Sequence, residues 1–208
     1  MRRTQLLRAA LFTVSSLLLM SCISFSTLQT AETLDPGEFS LGAGVSVLGS
    51  EDDNAGLLPE VGFRLGLTDR MDFGAKLFLP LALFVDAKVE LLQQPLTVSF
   101  DMGYSTFTLL SGSGETRNRT TGYYPMLIAG KKHWYAGIKP MFIQTEGDIS
   151  LFGESSSYEG GVSLLATDVL VGAVIGNHLR LMPEVNLLFP AEAEEMILIP
   201  GLALELKF

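Results

Sequence analysis

The chain has little cysteine or histidine and no long apolar run beyond its N-terminal region. One cysteine among 208 residues excludes an intrachain disulfide, and neither His133 nor His178 has a candidate nucleophile beside it. The longest later apolar run, 77–85, contains Pro80 and is far shorter than the roughly 20 residues of a membrane-spanning helix. Basic residues number 14 against 23 acidic ones, which disfavours nucleic-acid binding. These shortages argue against a disulfide framework, later transmembrane helices and a nucleic-acid partner.

Apolar residues are abundant even so, and they occur in short alternating segments. Hydrophobic residues make up 48% of the chain, and the mean hydropathy is +0.35. The last nine residues show the pattern most clearly, because apolar residues alternate there with small or charged ones. The apolar set is Pro200, Leu202, Leu204, Leu206 and Phe208. A period of two places successive side chains on opposite faces, so the pattern predicts a half-buried β-strand.

Ten such segments predict an all-β fold. They are 38–48, 58–67, 72–79, 83–93, 96–105, 121–130, 134–144, 161–175, 178–189 and 197–208. An apolar strand left open at the terminus is an aggregation template, whereas pairing with the first strand closes the sheet. We therefore predict a closed antiparallel transmembrane β-barrel of ten strands. An eight-strand barrel is the alternative, but it needs one strand over 72–93, longer than the roughly 9–11 residues of a membrane strand. A second alternative makes the last segment a strand of a periplasmic sandwich.

Charged residues within these segments fall on the face opposite the apolar one. With this parity no charge on a clearly phased strand faces lipid, where Lys or Arg at mid-depth would cost about 2–4 kcal/mol. The predicted polar network of the lumen comprises Glu60, Arg64, Lys76, Asp86, Lys88, Glu90, Asp101, Lys139, Asp168, Arg180, Glu184 and Glu205. Because the signs are mixed, we expect ion pairs that fill the bore and cross-link the strands.

The connections between the segments alternate between long and short. Three of the odd-numbered connections span 106–120, 145–160 and 190–196, whereas the even-numbered ones are short turns. The third connection, 80–82, is the exception, since it is odd-numbered and short. The long connections are strongly acidic and are expected to be solvated. Long loops at one end and short turns at the other are typical of membrane barrels.

The terminal strand carries a family resemblance. A last strand that ends in Phe208, with apolar residues at every second position, resembles the assembly signal of bacterial outer-membrane β-barrel proteins. The chain after its N-terminal region resembles the small barrels of this class. The resemblance implies a location in the bacterial outer membrane with both termini in the periplasm. It also implies two partners, outer-membrane lipids and the barrel-assembly machinery, the latter engaged through the strand that ends at Phe208.

The N-terminal region has the features of a targeting segment. Three arginines among the first eight residues precede an apolar stretch over 9–20, and Leu-Met-Ser-Cys at 19–22 then resembles the lipobox of bacterial lipoproteins. That resemblance implies cleavage before Cys22 and its acylation. We predict a signal peptide over 1–21, a periplasmic linker with a lipidated Cys22 over 22–37, and the barrel over 38–208. An incidental cysteine and an uncleaved signal anchor remain alternatives.

Catalytic and metal-binding chemistry is sparse in the sequence. Asp86 and Glu90 form an acidic pair suited to acid–base work, but alternating acidic and basic residues on a lumen face more often form ion pairs. The acidic loops lack the fixed turn geometry of a calcium site. We therefore predict no enzyme activity, no cofactor and no metal.

The predicted function is that of a non-enzymatic outer-membrane lipoprotein acting through its outer loops or lumen, in envelope structure, adhesion, or ligand or partner binding. The alternative is a narrow channel or uptake barrel for a small solute, because many inward positions are small. These positions are Ser40, Gly42, Gly44, Ser46, Gly103, Gly137 and Gly172. A barrel-embedded hydrolase or acyltransferase is a third reading. The pattern identifies neither a ligand nor an oligomeric state.

Overall fold

Ten antiparallel strands make up most of the chain. The computed structural model describes residues 27–48, 56–78, 82–110, 117–151, 154–191 and 196–208. The strands are β1 (Phe39–Leu48), β2 (Gly56–Thr68), β3 (Met71–Phe78), β4 (Ala82–Leu92), β5 (Thr97–Leu110), β6 (Arg117–Lys131), β7 (Trp134–Leu151), β8 (Glu154–Ala173), β9 (Leu179–Pro190) and β10 (Ile197–Lys207). Each overlaps a predicted segment, because alternating residues mark every strand. None of the described residues belongs to a helix long and apolar enough to cross a membrane.

β1 and β10 close the sheet into a barrel. β1 pairs antiparallel with both β2 and β10, and its register places Ser40 opposite Lys207. Phe39 and Phe208 exchange backbone hydrogen bonds of 3.2 and 2.9 Å, and their rings stack with centroids 4.8 Å apart. Closure therefore pairs the two strands that would otherwise form open edges. The predicted all-β, closed, ten-stranded antiparallel barrel is confirmed, and the eight-strand alternative is wrong.

The side chains sort into an apolar exterior and a bore that holds the charges. Leu41, Val61 and Leu204 are typical of the exterior, with 49%, 48% and 52% of their surface exposed. Among the strand residues whose side chains the structure describes, Lys131 is the one exposed charge, and it ends β6. Proteins that are dissolved in water bury charges rarely and keep most of them on the surface. This barrel has the opposite arrangement.

Two hairpins extend further than the sequence indicates. The predicted loops 106–120 and 145–160 are largely strand, since pairing continues to Leu110 with Arg117 and to Leu151 with Glu154. β7 and β8 consequently have 18 and 20 residues. The prediction of long loops there is wrong, because backbone pairing continues where no sustained alternation of apolar residues marks a strand. We call the opposite end of the barrel the short-turn end.

The chain before β1 runs inside the barrel. At the short-turn end a turn over 35–38 reverses its direction, with Gly37 at φ 81° and the Glu38 N–H bound to the Asp35 carbonyl at 2.9 Å. Residues 27–35, here called the strap, lie in the bore, where Ala31 is 1% exposed. Of the predicted periplasmic linker over 22–37, residues 27–35 thus lie in the bore, and its periplasmic assignment stays a prediction. The predicted signal peptide and Cys22 lie outside the described residues.

Apolar residues fill the bore in two places. Toward the end that carries the long hairpins, an apolar layer from eight of the ten strands consists of Leu58, Phe78, Ala82, Phe84, Tyr124, Met141, Ala166, Leu188 and Ile199. Nearer the short-turn end, an apolar wall on one side of the strap consists of Met126, Ile128, Tyr135, Leu170, Val174 and Met182. Ala31 of the strap packs into that wall. The strap therefore lies below the layer and against the wall.

Candidate functional site

The twelve predicted lumen residues all lie on the inner side of the barrel. Nine are buried, and Lys76, Arg180 and Glu205 are half-buried. The structure divides most of them into three groups. One lies on β3, β4 and β5 around Arg64 of β2, a second lies on β7, β8 and β9, and the pair Arg180–Glu205 lies near the short-turn end. Glu60 instead lines a cavity beside the strap.

Arg64 organises the charged side of the bore. Its guanidinium donates hydrogen bonds to Asp72 on β3 and to Asp86 on β4. Gly74 stands between Arg64 and Asp86 in the register, and a Cβ there would lie 2.7 Å from the guanidinium and 2.8 Å from the Asp86 carboxylate. The missing side chain at residue 74 lets the ion pair form across β3. Buried charges are tolerated only when paired in this way. We call Arg64, Asp72, Asp86, Lys88 and Asp101 the charged wall.

Lys88 joins the charged wall to the strap. Its ammonium lies 3.3 Å from the Asp72 carboxylate and donates to the carbonyls of Thr30 at 2.9 Å and Glu32 at 2.7 Å. An ammonium has three donors, and all three are directed at acceptors. Three more inward side chains, on β3 and β5, bind the strap main chain: Lys76 donates to the Thr27 carbonyl, Ser99 donates to the Ala31 carbonyl, and Asp72 accepts from the Leu34 N–H. Side chains of β3, β4 and β5 therefore bind the main chain of the strap.

Glu184 holds the inner end of the strap from β9. Its carboxylate accepts the N–H groups of Thr27 and Leu28, both at 2.8 Å. The Tyr135 hydroxyl and the Asn186 amide donate to the same carboxylate, each at 2.9 Å. Four donors thus satisfy a carboxylate that is 2% exposed. The two donors on the barrel strands fix the position of the carboxylate, and the other two donors belong to the strap.

Two further ion pairs follow the strand register. Lys139 and Asp168 are opposite each other on β7 and β8, with 3.0 Å between ammonium and carboxylate. Lys139 also donates to the Thr27 hydroxyl at 3.3 Å. Arg180 and Glu205 are opposite on β9 and β10, at 3.3 Å. Opposite charges placed directly across a strand pair stabilise that register.

An ion pair at the rim joins the start of the barrel to its end. The Lys207 ammonium lies 3.0 Å from the Glu38 carboxylate, which also accepts the Asp35 N–H at 3.1 Å. Partial burial by itself raises the pKa of Glu38. The hydrogen bonds and the positive charge of Lys207 outweigh it, so the pKa lies below the ordinary value of 4.5.

The space left beside the strap is small. A cavity of about 60 Å³ is lined by polar groups of Gln29, Glu60, Arg64, Lys76 and Asp86, among others. Sites for small molecules are typically about 300–1,000 Å³, and one water takes about 30 Å³ in the liquid. The cavity therefore has room for a few waters and not for a solute of ordinary size.

Small inward residues receive large neighbours instead of leaving a path. A Cβ at Gly44 would lie 2.6 Å from the Leu28 side chain, and one at Gly103 would lie 2.4 Å from the Phe84 ring. The open row of small residues expected for a narrow channel is therefore occupied at these positions. Alternation of small and large inward residues is how a barrel of this width is filled.

Both carboxylates of the predicted acid pair have hydrogen-bond partners within the bore. Asp86 is bound to Arg64, and the Thr33 hydroxyl donates to Glu90 at 3.4 Å. His133 and His178 are exposed in the short turns. In the described ranges no three His, Cys, Asp or Glu residues lie close enough to hold a metal ion. The arrangement suits structural ion pairing and main-chain binding.

Sequence reasoning missed the strap, including Gln29, and the hydrogen bond from Tyr135 to Glu184. The strap has no two-residue period, because it pairs with no strand. Its only signals are the spacing of Leu28, Ala31 and Leu34, which are three residues apart, and the Asp-Pro-Gly turn sequence at 35–37. Neither signal shows that the segment folds back into the barrel.

Comparison with known proteins gives weak similarities. No protein-family model and no curated protein sequence matches the chain. Among solved structures, the outer membrane phospholipase A from Escherichia coli has 11% identity and a TM-score of 0.35, over 82% of this chain and 92% of that one. Ail, the attachment invasion locus protein of Yersinia pestis, has 12% identity and a TM-score of 0.27, over 83% and 99% of the two chains. Its complex with the heparin analogue sucrose octasulfate has a TM-score of 0.29. Similarity at this level supports no conclusion about function.

Proposed function

We propose that the chain is a non-enzymatic β-barrel of the bacterial outer membrane, with a closed bore, that acts in envelope structure, adhesion or partner binding. The observation that carries the proposal is the sorting of side chains, apolar outside and charged inside. Transfer of a ring of exposed leucine, valine and phenylalanine side chains from water to lipid is energetically favourable. Because every backbone group must also be satisfied in hydrocarbon, a closed barrel is one of two folds that can cross it.

The ends of the barrel support an orientation. Exposed Phe39, Trp134 and Phe208 lie at the short-turn end, and exposed Phe189 lies at the other end, as in the aromatic girdles of membrane barrels. The long hairpins then project outward, and both termini of the barrel domain, which lie at the short-turn end, face the periplasm. An interaction of β10 with the barrel-assembly machinery is part of the proposal on the alternation of its residues. Acylation of Cys22 is part of the proposal on sequence grounds alone.

Two barriers favour a closed bore over the channel alternative. The strap occupies the short-turn half, and the apolar layer fills the other half. The layer does not include strap residues, so withdrawal of the strap alone leaves it in place. A channel requires both barriers to move.

Membrane location is tested on the full chain expressed in a Gram-negative host. We expect the protein in the outer-membrane fraction, migrating faster on a gel when unheated than when boiled. Recovery from the soluble fraction, or identical migration, would contradict the proposal. Palmitate labelling that is lost in Cys22→Ser tests the lipid anchor separately, and its absence leaves the barrel assignment standing.

Closure is tested by conductance in planar bilayers. The wild type and Ala31→Glu, which disturbs only the strap, are expected to be silent. Phe84→Ala combined with Ala31→Glu disturbs both barriers and is expected to conduct, which shows that the inserted protein is detectable. Stable openings of the wild type would favour the channel alternative. Lipid hydrolysis or acyl transfer that is lost in Asp86→Asn or Glu90→Gln would instead contradict the non-enzymatic assignment.

A further inference from the structure

The strap is bound as a peptide ligand is bound, and not as a strand of the fold. It makes no ladder pairing with any of the ten strands. Inward side chains of the barrel strands bind seven of its main-chain groups. These are the N–H groups of Thr27, Leu28 and Leu34, and the carbonyls of Thr27, Ala31, Thr30 and Glu32. Main-chain groups are common to every polypeptide. Such contacts fix the path of the strap, which has a positive φ of 44° at Leu28 and bends at 31–32, and they demand little of the sequence.

Several strap side chains are also held in the bore, where the Thr27 and Thr33 hydroxyls contact Lys139 and Glu90. Ala31 is 1% exposed and packs against the apolar wall, so a small residue is needed there. Leu34 is 4% exposed, and Leu28 packs against the same wall from the inner end. The Gln29 amide donates to Asp101. The Thr30 side chain, by contrast, donates only to the strap's own Glu32 carbonyl.

The connection to the barrel is a single turn at the rim. Pro36 and Gly37 are exposed, and a Cβ at Gly37 would meet no atom within 4 Å. The barrel closes through β1 and β10 without any strap residue. The strap can therefore leave the bore while the ladder stays intact.

We infer that the short-turn half of the bore is a peptide-binding site and that the strap is its exchangeable intramolecular occupant. The ligand class is an irregular, non-helical segment of a partner protein, with a small residue between two leucine-sized ones at the spacing of 28, 31 and 34, entering from the short-turn end. The strap competes with that segment for the charged wall and Glu184. This inference goes beyond the proposed function and does not depend on the membrane assignment.

The test uses the full chain with Ala31→Glu, which places a carboxylate in the apolar wall. Release of the strap is scored by cleavage at Glu32 with a glutamate-specific protease, and folding of the barrel is scored by heat-modifiable migration. The matched control is Asp35→Ser at an exposed position of the same segment. We expect rapid cleavage of Ala31→Glu, slow cleavage of the wild type and the control, and an intact barrel in all three. If Ala31→Glu does not fold, Leu34→Glu, at a strap position that is 4% exposed, replaces it.

Binding is then measured by fluorescence anisotropy with a labelled, acetylated peptide of residues 27–35. A tethered occupant acts at an effective concentration in the millimolar range, so the released variant should bind the peptide roughly 100-fold more tightly than the wild type. In the released background Ser99→Ala removes the donor to the residue-31 carbonyl and should weaken binding about fivefold. Ser105→Ala, an equally buried inward serine of β5 that contacts Tyr124 and not the strap, should leave binding unchanged.

Peptide variants test which features are recognised. A peptide with Thr30→Ser and Glu32→Gln should bind as the parent does, whereas a peptide with Ala31→Glu should not bind. Absence of binding to a folded, strap-released variant at about 1 mM peptide would overturn the inference. Equal effects of Ser99→Ala and Ser105→Ala would overturn it as well. So would continued protection of Glu32 in both folded strap variants, because the strap would then be a fixed part of the fold.

Discussion

The charged wall and the apolar wall face each other across the strap and differ in what they contact. The charged wall binds main-chain carbonyls and N–H groups through Lys88 and Asp72. The apolar wall packs against the side chain of Ala31. Hydrogen bonds set the position and extension of the strap, whereas close packing limits the size of the residue that faces the wall.

The two walls also differ in how many contacts a single substitution removes. Arg64 serves two carboxylates, and Asp72 in turn serves Lys88 and the strap. Loss of Arg64 removes the cation of Asp86 and leaves Asp72 with Lys88 alone. In the apolar wall, apart from Tyr135 with its hydrogen bond to Glu184, a shortened side chain leaves only a local cavity. The charged wall should therefore be the more sensitive of the two.

The largest effect is expected from Arg64→Met. It leaves Asp72 and Asp86 buried without their shared cation, and the free energy of unfolding should fall by about 3–5 kcal/mol. Urea unfolding followed by the fluorescence of Trp134, the single tryptophan, measures the change. Arg180→Met is the control, because its pair with Glu205 is partly exposed and should be worth about 1 kcal/mol or less. Equal losses in the two variants would mean that burial of the charged wall adds nothing.

A smaller loss is expected from Leu170→Ala in the apolar wall. Leu170 is fully buried, so the cavity should lower the free energy of unfolding by about 2–4 kcal/mol in the same assay. The same substitution at Leu202, which is 44% exposed on the exterior, should cost about 1 kcal/mol or less. If Leu170→Ala cost more than Arg64→Met, the proposed difference between the walls would be reversed.

Gly66→Ala tests the contact between the outer end of the strap and β2 without changing a residue of either wall. A Cβ at Gly66 would lie 2.0 Å from the Asp35 carbonyl oxygen and 2.7 Å from that of Leu34, both backbone atoms. The strap's outer end must shift, at a cost of about 1–3 kcal/mol. Cleavage at Glu32 by a glutamate-specific protease should accelerate about fivefold or more, since it follows the population of the open form.

Gly42→Ala is the matched control for this prediction. Gly42 is an inward glycine of β1 whose Cβ would have ordinary contact, with Leu204 oxygen at 3.6 Å. It should not change the cleavage rate. Equal acceleration in both variants would show a general loosening of the barrel in place of an effect on the strap.

The strands were predictable because their information is local. Alternation along β10 marks which residues face outward, and that parity alone directs Glu205 inward. The strap is different, because its partners are remote: Thr27 binds Glu184, 157 positions away. Its main-chain groups are satisfied by side chains, and main-chain groups leave no trace in a sequence pattern.

Individual partners within the bore were not predictable either. Parity places Arg64, Asp86 and Lys88 inside but does not say which charges meet. Arg64 reaches Asp86 across β3 only because residue 74 is glycine. Pairing follows from strand register and from which neighbours are small, and both are properties of the assembled sheet. The long hairpins escaped prediction because their strands lack apolar alternation.

The smallest effect concerns the rim, where Glu38 meets Lys207. Because the folded state lowers the pKa of Glu38, the ion pair stabilises the fold at pH values above the ordinary 4.5 and is lost as the pH falls through the folded-state pKa. Glu38→Gln should therefore lower stability slightly near pH 7, by about 1 kcal/mol or less, and not at about pH 3. Urea midpoints at the two pH values measure this. Asp69→Asn, in the exposed β2–β3 turn, should show no such difference, and a difference of equal size there would assign the effect to overall charge instead of the Glu38–Lys207 contact.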